Sequence, residues 1–215
     1  MKEVIFCGVD STRYCYEIKE YLEQIIKEDD LDMRFKGYLD SSKLLNDKFN
    51  SIKYLGDFNS HSHTNNYVYI IGALDSKKRL EIFSFLEKNK YPLINIIHPN
   101  ALISSTAKLG KGIVLGPNVF IMSNTIIGNH SVFNYGCSVG HDSCLGVNNI
   151  FSSNCNLAGN VQIKNHNFFG ISSSIIPNIT IGDYNKVQAG TTVNNNLNDR
   201  SFYFQKNQNK VSHIF

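Results

Sequence analysis

The sequence predicts a small Rossmann-like α/β domain followed by a left-handed parallel β-helix. Three observations carry this prediction. From Ile97 to Thr192 the chain divides into sixteen six-residue units with no insertion or deletion, each opening with Ile, Leu, Val or Phe. Positions eighteen apart then form wholly apolar columns, such as Ile97, Leu115, Phe133, Phe151, Phe169 and Val187. Before Ile97 the pattern differs, with short apolar runs alternating with stretches of helical spacing. A six-residue apolar period fits neither an amphipathic helix nor an alternating strand. It is the signature of a hexapeptide β-helix. The expected domains are 1–96, 97–193 and a polar, aromatic tail, 194–215, that covers the end of the coil.

The first domain reads in order as strand, helix, strand, strand, helix, strand. Glu3–Cys7 is an apolar run ending at Gly8. Thr12–Lys27 places Tyr14, Ile18, Tyr21, Leu22, Ile25 and Ile26 on one face. Met33–Leu39 is a second strand, closed by Asp40-Ser41-Ser42. Asn46–Asn66 is polar, with one short strand near Ile52–Leu55. Tyr67–Ile71 ends at Gly72, Ser76–Lys88 is a second helix, and Leu93–Ile97 feeds the repeat. Such an order suggests an abbreviated doubly wound sheet, in which ligands sit at the carboxyl ends of strands. Three turns lie there: Gly8-Val9-Asp10-Ser11-Thr12, Asp40-Ser41 and Gly72-Ala73. The first could hold a diphosphate at the following helix N-terminus, or Ser11 or Thr12 could simply cap that helix. No GxGxxG fingerprint is present, so NAD is not implied.

In the repeat the other two inner columns are also apolar: Ile103, Ile121, Val139, Leu157, Ile175 and Val193, and Leu109, Ile127, Leu145, Ile163 and Ile181. Each buried side chain contributes roughly 1.5–3 kcal/mol. Three successive Phe in one column are expected to stack near the ~4.8 Å strand spacing. The fifth place of most units is small or thin (Ala101, Thr125, Ser131, Cys137, Ser143, Cys155, Ser173). Asn118, Asn129, Gly136, Asn148, Asn160 and Asn178 suit tight corners with positive φ.

Composition narrows the function. A net charge of +3 is too small to imply nucleic acid or an anionic membrane as partner. No run approaches eighteen apolar residues and no signal peptide is evident, so a cytoplasmic protein is expected. The five cysteines include no CxxC pair and are expected to be free thiols.

Among the histidines, His141 stands out because Asp142 follows it at once. A neutral imidazole is a natural general base at pH 7, and a carboxylate bonded to its far nitrogen raises its basicity. In a strand the two side chains would point to opposite faces, so the pair works only if the backbone turns there. An exposed corner pair is the competing reading. His130 and His166 stand two coils apart, a spacing similar to that of the zinc ligands of γ-class carbonic anhydrases. The third-ligand position, five residues after either, holds Tyr135 or Ile171, and no metal site is expected. His61 and His63 fall in the polar loop and read as solvated.

The whole chain to about residue 200 resembles the bacterial nucleotide-sugar acetyltransferases related to sialic acid O-acetyltransferase, in particular the N-acetyltransferases of UDP- or dTDP-linked 4-amino-6-deoxy sugars. The resemblance rests on Ile97-His98-Pro99-Asn100-Ala101, on Asn134 with Gly140-His141-Asp142, on Leu157-Ala158-Gly159-Asn160-Val161, and on Gly170-Ile171 with Pro177-Asn178. It implies His141 as catalytic base, Asp142 as its acidic partner and Asn134 as a polar residue near the sugar amine. It also implies Gly159 as a backbone contact to the thioester of acetyl-CoA, with Ile171 and Ala189 along the pantetheine and adenosine. Asp40, with Ser41, would bind the nucleotide base, and Gly8, Asp10, Ser11, Thr12 and Gly72 the rest of the nucleotide sugar. The chain departs from the family pattern in three places. Gly8–Thr12 stands where a GxSGH-like loop is usual, Ile150 where a histidine contacts acetyl-CoA, and a GxPAK-like motif is missing near the C-terminus. Lys186 or Lys206 would then serve the phosphates of coenzyme A.

The resemblance implies an acetyl-CoA-dependent N-acetyltransferase of a UDP- or dTDP-linked 4-amino-4,6-dideoxy sugar, serving a bacterial surface glycan. It would act without metal, as a homotrimer with sites between neighbouring prisms. A sialic acid-type O-acetyltransferase is the alternative within the same chemistry, and a non-catalytic β-helix scaffold or binding module the alternative outside it.

Overall fold

The structure is a computed structural model and describes residues 1–12, 14–41 and 52–205. Its N-terminal unit is a four-stranded parallel sheet with a helix on each side. The elements are β1 (Lys2–Cys7), α1 (Tyr14–Glu28), β2 (Met33–Leu39), β3 (Tyr54–Gly56), β4 (Tyr67–Ile71) and α2 (Ser76–Asn89). The strand order is β3-β2-β1-β4, with every pairing parallel. Side chains of β1 alternate between the two sides. Val4 and Phe6 pack with Ile18 and Leu22 of α1, and Ile5 and Cys7 with Ile82 and Leu86 of α2. The Asp75 side chain caps α2 by accepting the Lys78 N–H at 2.8 Å.

The expected strand Leu93–Ile97 divides in two. Leu93 makes a single bridge to Tyr69, whereas Ile96–Ile97 pairs with Val114–Leu115 and so opens the coil. From there the chain forms a three-faced parallel β-helix of two-residue strands, each paired with the strand eighteen residues on. Face 1 runs from 96–97 to 186–187 and adds 202–203, face 2 from 102–103 to 192–193, and face 3 from 108–109 to 180–181. The three apolar columns form one continuous core. Phe133, Phe151 and Phe169 stack with centroids 4.5 Å apart and planes within 9°.

The corners fall at the fourth place of each unit, where every residue from Gly112 to Gly190 has positive φ, including Asn118, His130, Asp142, Asn148, Asn160 and Asn178. Asn129, expected at such a corner, stands one place earlier. Its Oδ1 accepts the Lys111 N–H instead, and His130 takes the left-handed conformation. Three fifth places hold Asn149, Asn167 and Asn185, all buried. They form an internal ladder: the Asn167 N–H donates to Asn149 Oδ1 at 2.9 Å, and the Asn185 N–H to Asn167 Oδ1 at 2.7 Å. The ladder pairs the buried amides of Asn149 and Asn167, while Asn185 Nδ2 at its end has no partner among the described residues. Beyond 193 the pairing continues, with Leu197 bridging Ile181 and Phe202–Tyr203 pairing with Lys186–Val187.

The two units share a core. Val114 and Val132, on the outside of face 1, are buried in the cluster that contains Tyr14, Ile18 and Leu22 of α1. Arg79 of α2, 0 % exposed, donates to Ala73 O, His130 O and Asn148 Oδ1, tying the helix to two corners of the coil. Burial lowers its pKa to about 10. The five cysteines are free thiols, with only Cys144 exposed. Among the described residues no helix is long and apolar enough to cross a membrane.

Candidate active site

His141 occupies the third place of its unit and Asp142 the fourth, at the corner that leads from face 2 to face 3. Because Asp142 has φ 57, its carboxylate turns back toward the preceding residue. His141 Nδ1 lies 2.7 Å from Asp142 Oδ2. This is the backbone turn that the pair requires. Asp142 Oδ1 accepts from Asn124 Nδ2 at 3.0 Å, one coil earlier. The bond to His141, then the one to Asn124, holds the Asp142 carboxyl below its usual range. In the neutral tautomer that donates Nδ1–H to the carboxylate, the lone pair is on Nε2. The His141 side chain is 62 % exposed, so Nε2 is open to a reactant.

Gly159 lies one coil beyond, beneath the ring. A Cβ there would stand 2.6 Å from His141 Nε2. Its N–H has no acceptor among the described residues, while its neighbours Ala158 and Asn160 donate to Ile175 O and His141 O. Gly140 is equally constrained, since a Cβ on it would lie 2.5 Å from Gly159 N. The corner thus presents the His141 ring, a carboxylate on its Nδ1 side and, one coil on, a backbone N–H with no acceptor among the described residues. Such a set can take a proton from a nucleophile and stabilise a developing oxyanion.

The residues expected to bind a nucleotide sugar lie elsewhere, at the carboxyl ends of β1, β2 and β4. Gly8 has φ 75, and a Cβ on it would strike Ile82 Cδ1, so this glycine is fixed by the packing of α2. Gly72 is similarly closed against Gly8 O. Both are buried. Asp10 joins two loops, accepting the N–H groups of Leu74 and Asp75 on Oδ2 at 2.6 and 2.7 Å and that of Thr12 on Oδ1 at 3.0 Å. Asp40 is 0 % exposed and holds Lys78 Nζ at 2.6 Å and the Val9 N–H at 2.9 Å, with Ser41 Oγ on its other oxygen. Asp10, Ser11 and Thr12 do reach the surface. They line a crevice of about 380 Å3 whose far wall is Ser152, Phe168 and Lys186 of face 1. Sequence reasoning missed Ser152 and Phe168. Their register in the repeat was readable, but not which face the first domain would cover.

The expected cofactor residues separate. Ile171 and Ala189 are exposed at one corner, where face 1 passes to face 2, one coil apart. Gly159 is at the next corner, across face 2. Ile150 is 2 % exposed, on the side of face 1 turned toward the N-terminal unit. It cannot contact a cofactor there, because its apolar side chain is spent on packing. Asn134 Oδ1 is buried with no partner and is not turned outward. Lys206 lies outside the described residues.

The remaining histidines among the described residues have structural partners. His130 Nε2 lies 3.0 Å from Glu87 Oε1, His166 Nδ1 lies 3.2 Å from Asn148 Nδ2, and Phe83 of α2 meets both rings edge-on. The pair therefore seats α2 on the coil. His61 Nε2 and His63 Nδ1 both approach Tyr69 Oη, at 2.8 and 3.0 Å; His63 is exposed in the loop as expected, whereas His61 is half-buried. Among the described residues no group of three or more His, Cys, Asp or Glu is placed to hold a metal ion.

No family model and no curated protein matches the sequence. Solved structures do match the fold. A variant of perosamine N-acetyltransferase from Caulobacter crescentus, in complex with CoA and GDP-perosamine, superposes with a TM-score of 0.78 at 22 % identity, over 94 % of this chain and 92 % of that one. The acetyltransferase domain of PglB from Neisseria gonorrhoeae does so with a TM-score of 0.83 at 16 % identity, over 94 % and 96 %. WeeI from Acinetobacter baumannii does so with 0.78 at 21 %, over 94 % and 96 %. The chain has the fold of these proteins along nearly its whole length, N-terminal unit and β-helix together.

Proposed function

We propose that this protein is an acetyl-CoA-dependent N-acetyltransferase acting on the 4-amino group of a nucleotide-linked 4-amino-4,6-dideoxy sugar, in the biosynthesis of a bacterial surface glycan. The observation that carries the reading is the His141–Asp142 pair with Nε2 set over Gly159. His141 Nε2 takes the proton from the sugar amine as the nitrogen bonds to the acetyl carbon. Asp142 holds the imidazole in its Nδ1–H form and stabilises the positive charge it gains. The Gly159 N–H steadies the oxyanion until the carbon–sulfur bond breaks, and the departing thiolate takes from His141 the proton that the amine gave up. Acetyl-CoA supplies the acetyl group, with Gly159, Ile171 and Ala189 as its contacts.

The fold neighbours support this reading, since one is an N-acetyltransferase in complex with CoA and GDP-perosamine and another was solved with acetyl coenzyme A. In this reading residues 1–96 are a Rossmann-like nucleotide-sugar-binding domain, 97–193 the left-handed β-helix that carries the chemistry, and the tail from 194 its cap, of which 206–215 lie outside the described residues. The nucleotide lies by the loops after β1, β2 and β4, with UDP or dTDP as the expected carriers. His141 stands on a different face from those loops. A cytoplasmic homotrimer would bring the two together across subunits, and the exposed Leu102, Phe120 and Met122 offer an apolar surface for it.

The test is a panel of UDP-, dTDP- and GDP-linked 4-amino sugars, together with sialic acid, each incubated with acetyl-CoA while free thiol is followed. Release with at least one amino sugar and none with sialic acid is expected. Release with sialic acid alone would favour O-acetylation, and release with none of them a scaffold or binding module.

A further inference from the structure

The outer column of face 1 changes character along the coil. Val114, Val132 and Ile150 are buried, Phe168 is half-buried and Lys186 is exposed. The last two line the crevice of about 380 Å3 opposite Ser11, Thr12 and Ser76. Among the described residues Lys186 is the one cationic side chain lining it, and its ammonium has no partner there. The two carboxylates that also line it, Asp10 and Asp75, are committed to backbone N–H groups.

These commitments decide where an anion can sit. The amides of Leu74, Asp75 and Thr12 would otherwise form an anion-binding turn, but Asp10 already fills it, and its charge repels a second anion. The free positive charge is across the crevice. Phe168 beside it offers an apolar surface for one face of a sugar or base ring, and the hydroxyls of Ser11 and Ser76 can serve ring hydroxyls, that of Thr12 being given to Asp10.

We propose that Lys186 binds the diphosphate of the nucleotide sugar, with Phe168 as its neighbouring platform, and not the phosphates of coenzyme A. This deepens the proposed function and rests on it for the identity of the ligand. A nucleoside diphosphate binds without turnover, however, so the two can be tested apart.

The experiment is isothermal titration of the full chain with UDP, dTDP, GDP and CoA separately, for wild type, Lys186→Ala and Lys186→Glu. Thermal melts show that the variants fold, as expected for an exposed side chain. For whichever nucleoside diphosphate binds wild type, Kd should rise about tenfold in Lys186→Ala and further in Lys186→Glu, the size expected for loss of a charge-assisted contact. Kd for CoA should be unchanged. A weakened CoA Kd with nucleotide binding intact would overturn the proposal, as would no change in either. Wild type that turns over an amino sugar while Lys186→Ala keeps its nucleotide-sugar KM would overturn this inference alone. Wild type that binds none of the three diphosphates would overturn it together with the proposed substrate class.

Discussion

Replacing Gly159 by Ala isolates the geometry of the proposed base from the stability of the coil. The new Cβ would stand 2.6 Å from His141 Nε2, 2.8 Å from Cε1 and 3.1 Å from Cδ2. Ordinary contact is about 3.5 Å, so the ring must withdraw by roughly 1 Å. It can do so cheaply, because the His141 side chain is 62 % exposed and swings toward solvent. The movement strains or breaks the 2.7 Å bond to Asp142. Gly159 is not among the residues with positive φ, so Ala fits the backbone there and restricts the unfolded chain. A displacement of about 1 Å at a reacting group costs on the order of 100-fold in rate. The expected result is therefore a kcat about 100-fold lower, measured by thiol release from acetyl-CoA with a 4-amino nucleotide sugar, and an unchanged melting temperature. Full activity would refute the placement of the ring over Gly159. A melting temperature that collapsed with the activity would show that Gly159 serves the coil and not the histidine.

Other consequences follow from the same geometry. Asp142→Asn keeps a residue that tolerates the left-handed corner but removes the charge behind the imidazole, so kcat should fall by roughly 10- to 100-fold with KM little changed, read by steady-state kinetics. Arg79→Met leaves Ala73 O, His130 O and Asn148 Oδ1 without their donor and should cost about 3 kcal/mol in chemical denaturation. Burial lowers the pKa of His61, His130 and His166 below the usual 6.5. The unfolded chain then binds more protons than the folded one as pH falls through 6.5, and the protein loses stability on acidification. Thermal melts from pH 8 to pH 5 should show this, and His130→Asn, which suits its left-handed corner, should flatten the slope.

Much of the coil was legible because its constraint is local and repeated. Ile97 to Val193 must place an apolar side chain inward at every sixth residue, and the stacking of Phe133, Phe151 and Phe169 follows from that alone. The corner phase was harder. Asn129 looks as suitable as any asparagine for positive φ, yet His130 holds the fourth place, and only alignment with Asn118, Asn148 and Asn160 shows it. The same alignment puts Asp142 at a corner, which is why its carboxylate reaches back to His141, and puts Asn124 one coil before it. The Asn149–Asn167–Asn185 ladder was hidden because a polar residue at the fifth place reads as surface until its vertical partners are counted.

Docking was the part that local pattern could not give. His130 and His166 acquire their partners only when α2 packs on the coil, and Arg79 looks like any helical arginine in sequence. Ile150 was expected to meet a cofactor, but it faces the first domain, a choice fixed by which face that domain covers. Phe168 and Lys186 escape that cover only because it ends before them. Asp10 and Asp40 carry the residue types expected of a nucleotide site, and the structure spends both largely on holding loops.

The central claim, that His141 is the base for acetyl transfer to a sugar amine, is tested most directly by the pre-steady-state rate of acetyl transfer in His141→Asn. It should be measured with acetyl-CoA and the best amino sugar of the panel, both saturating. Asn fills the site and cannot accept the proton at the Nε2 position, so the rate should fall by roughly 100- to 10,000-fold while both substrates still bind. A rate within a few-fold of wild type would contradict the account.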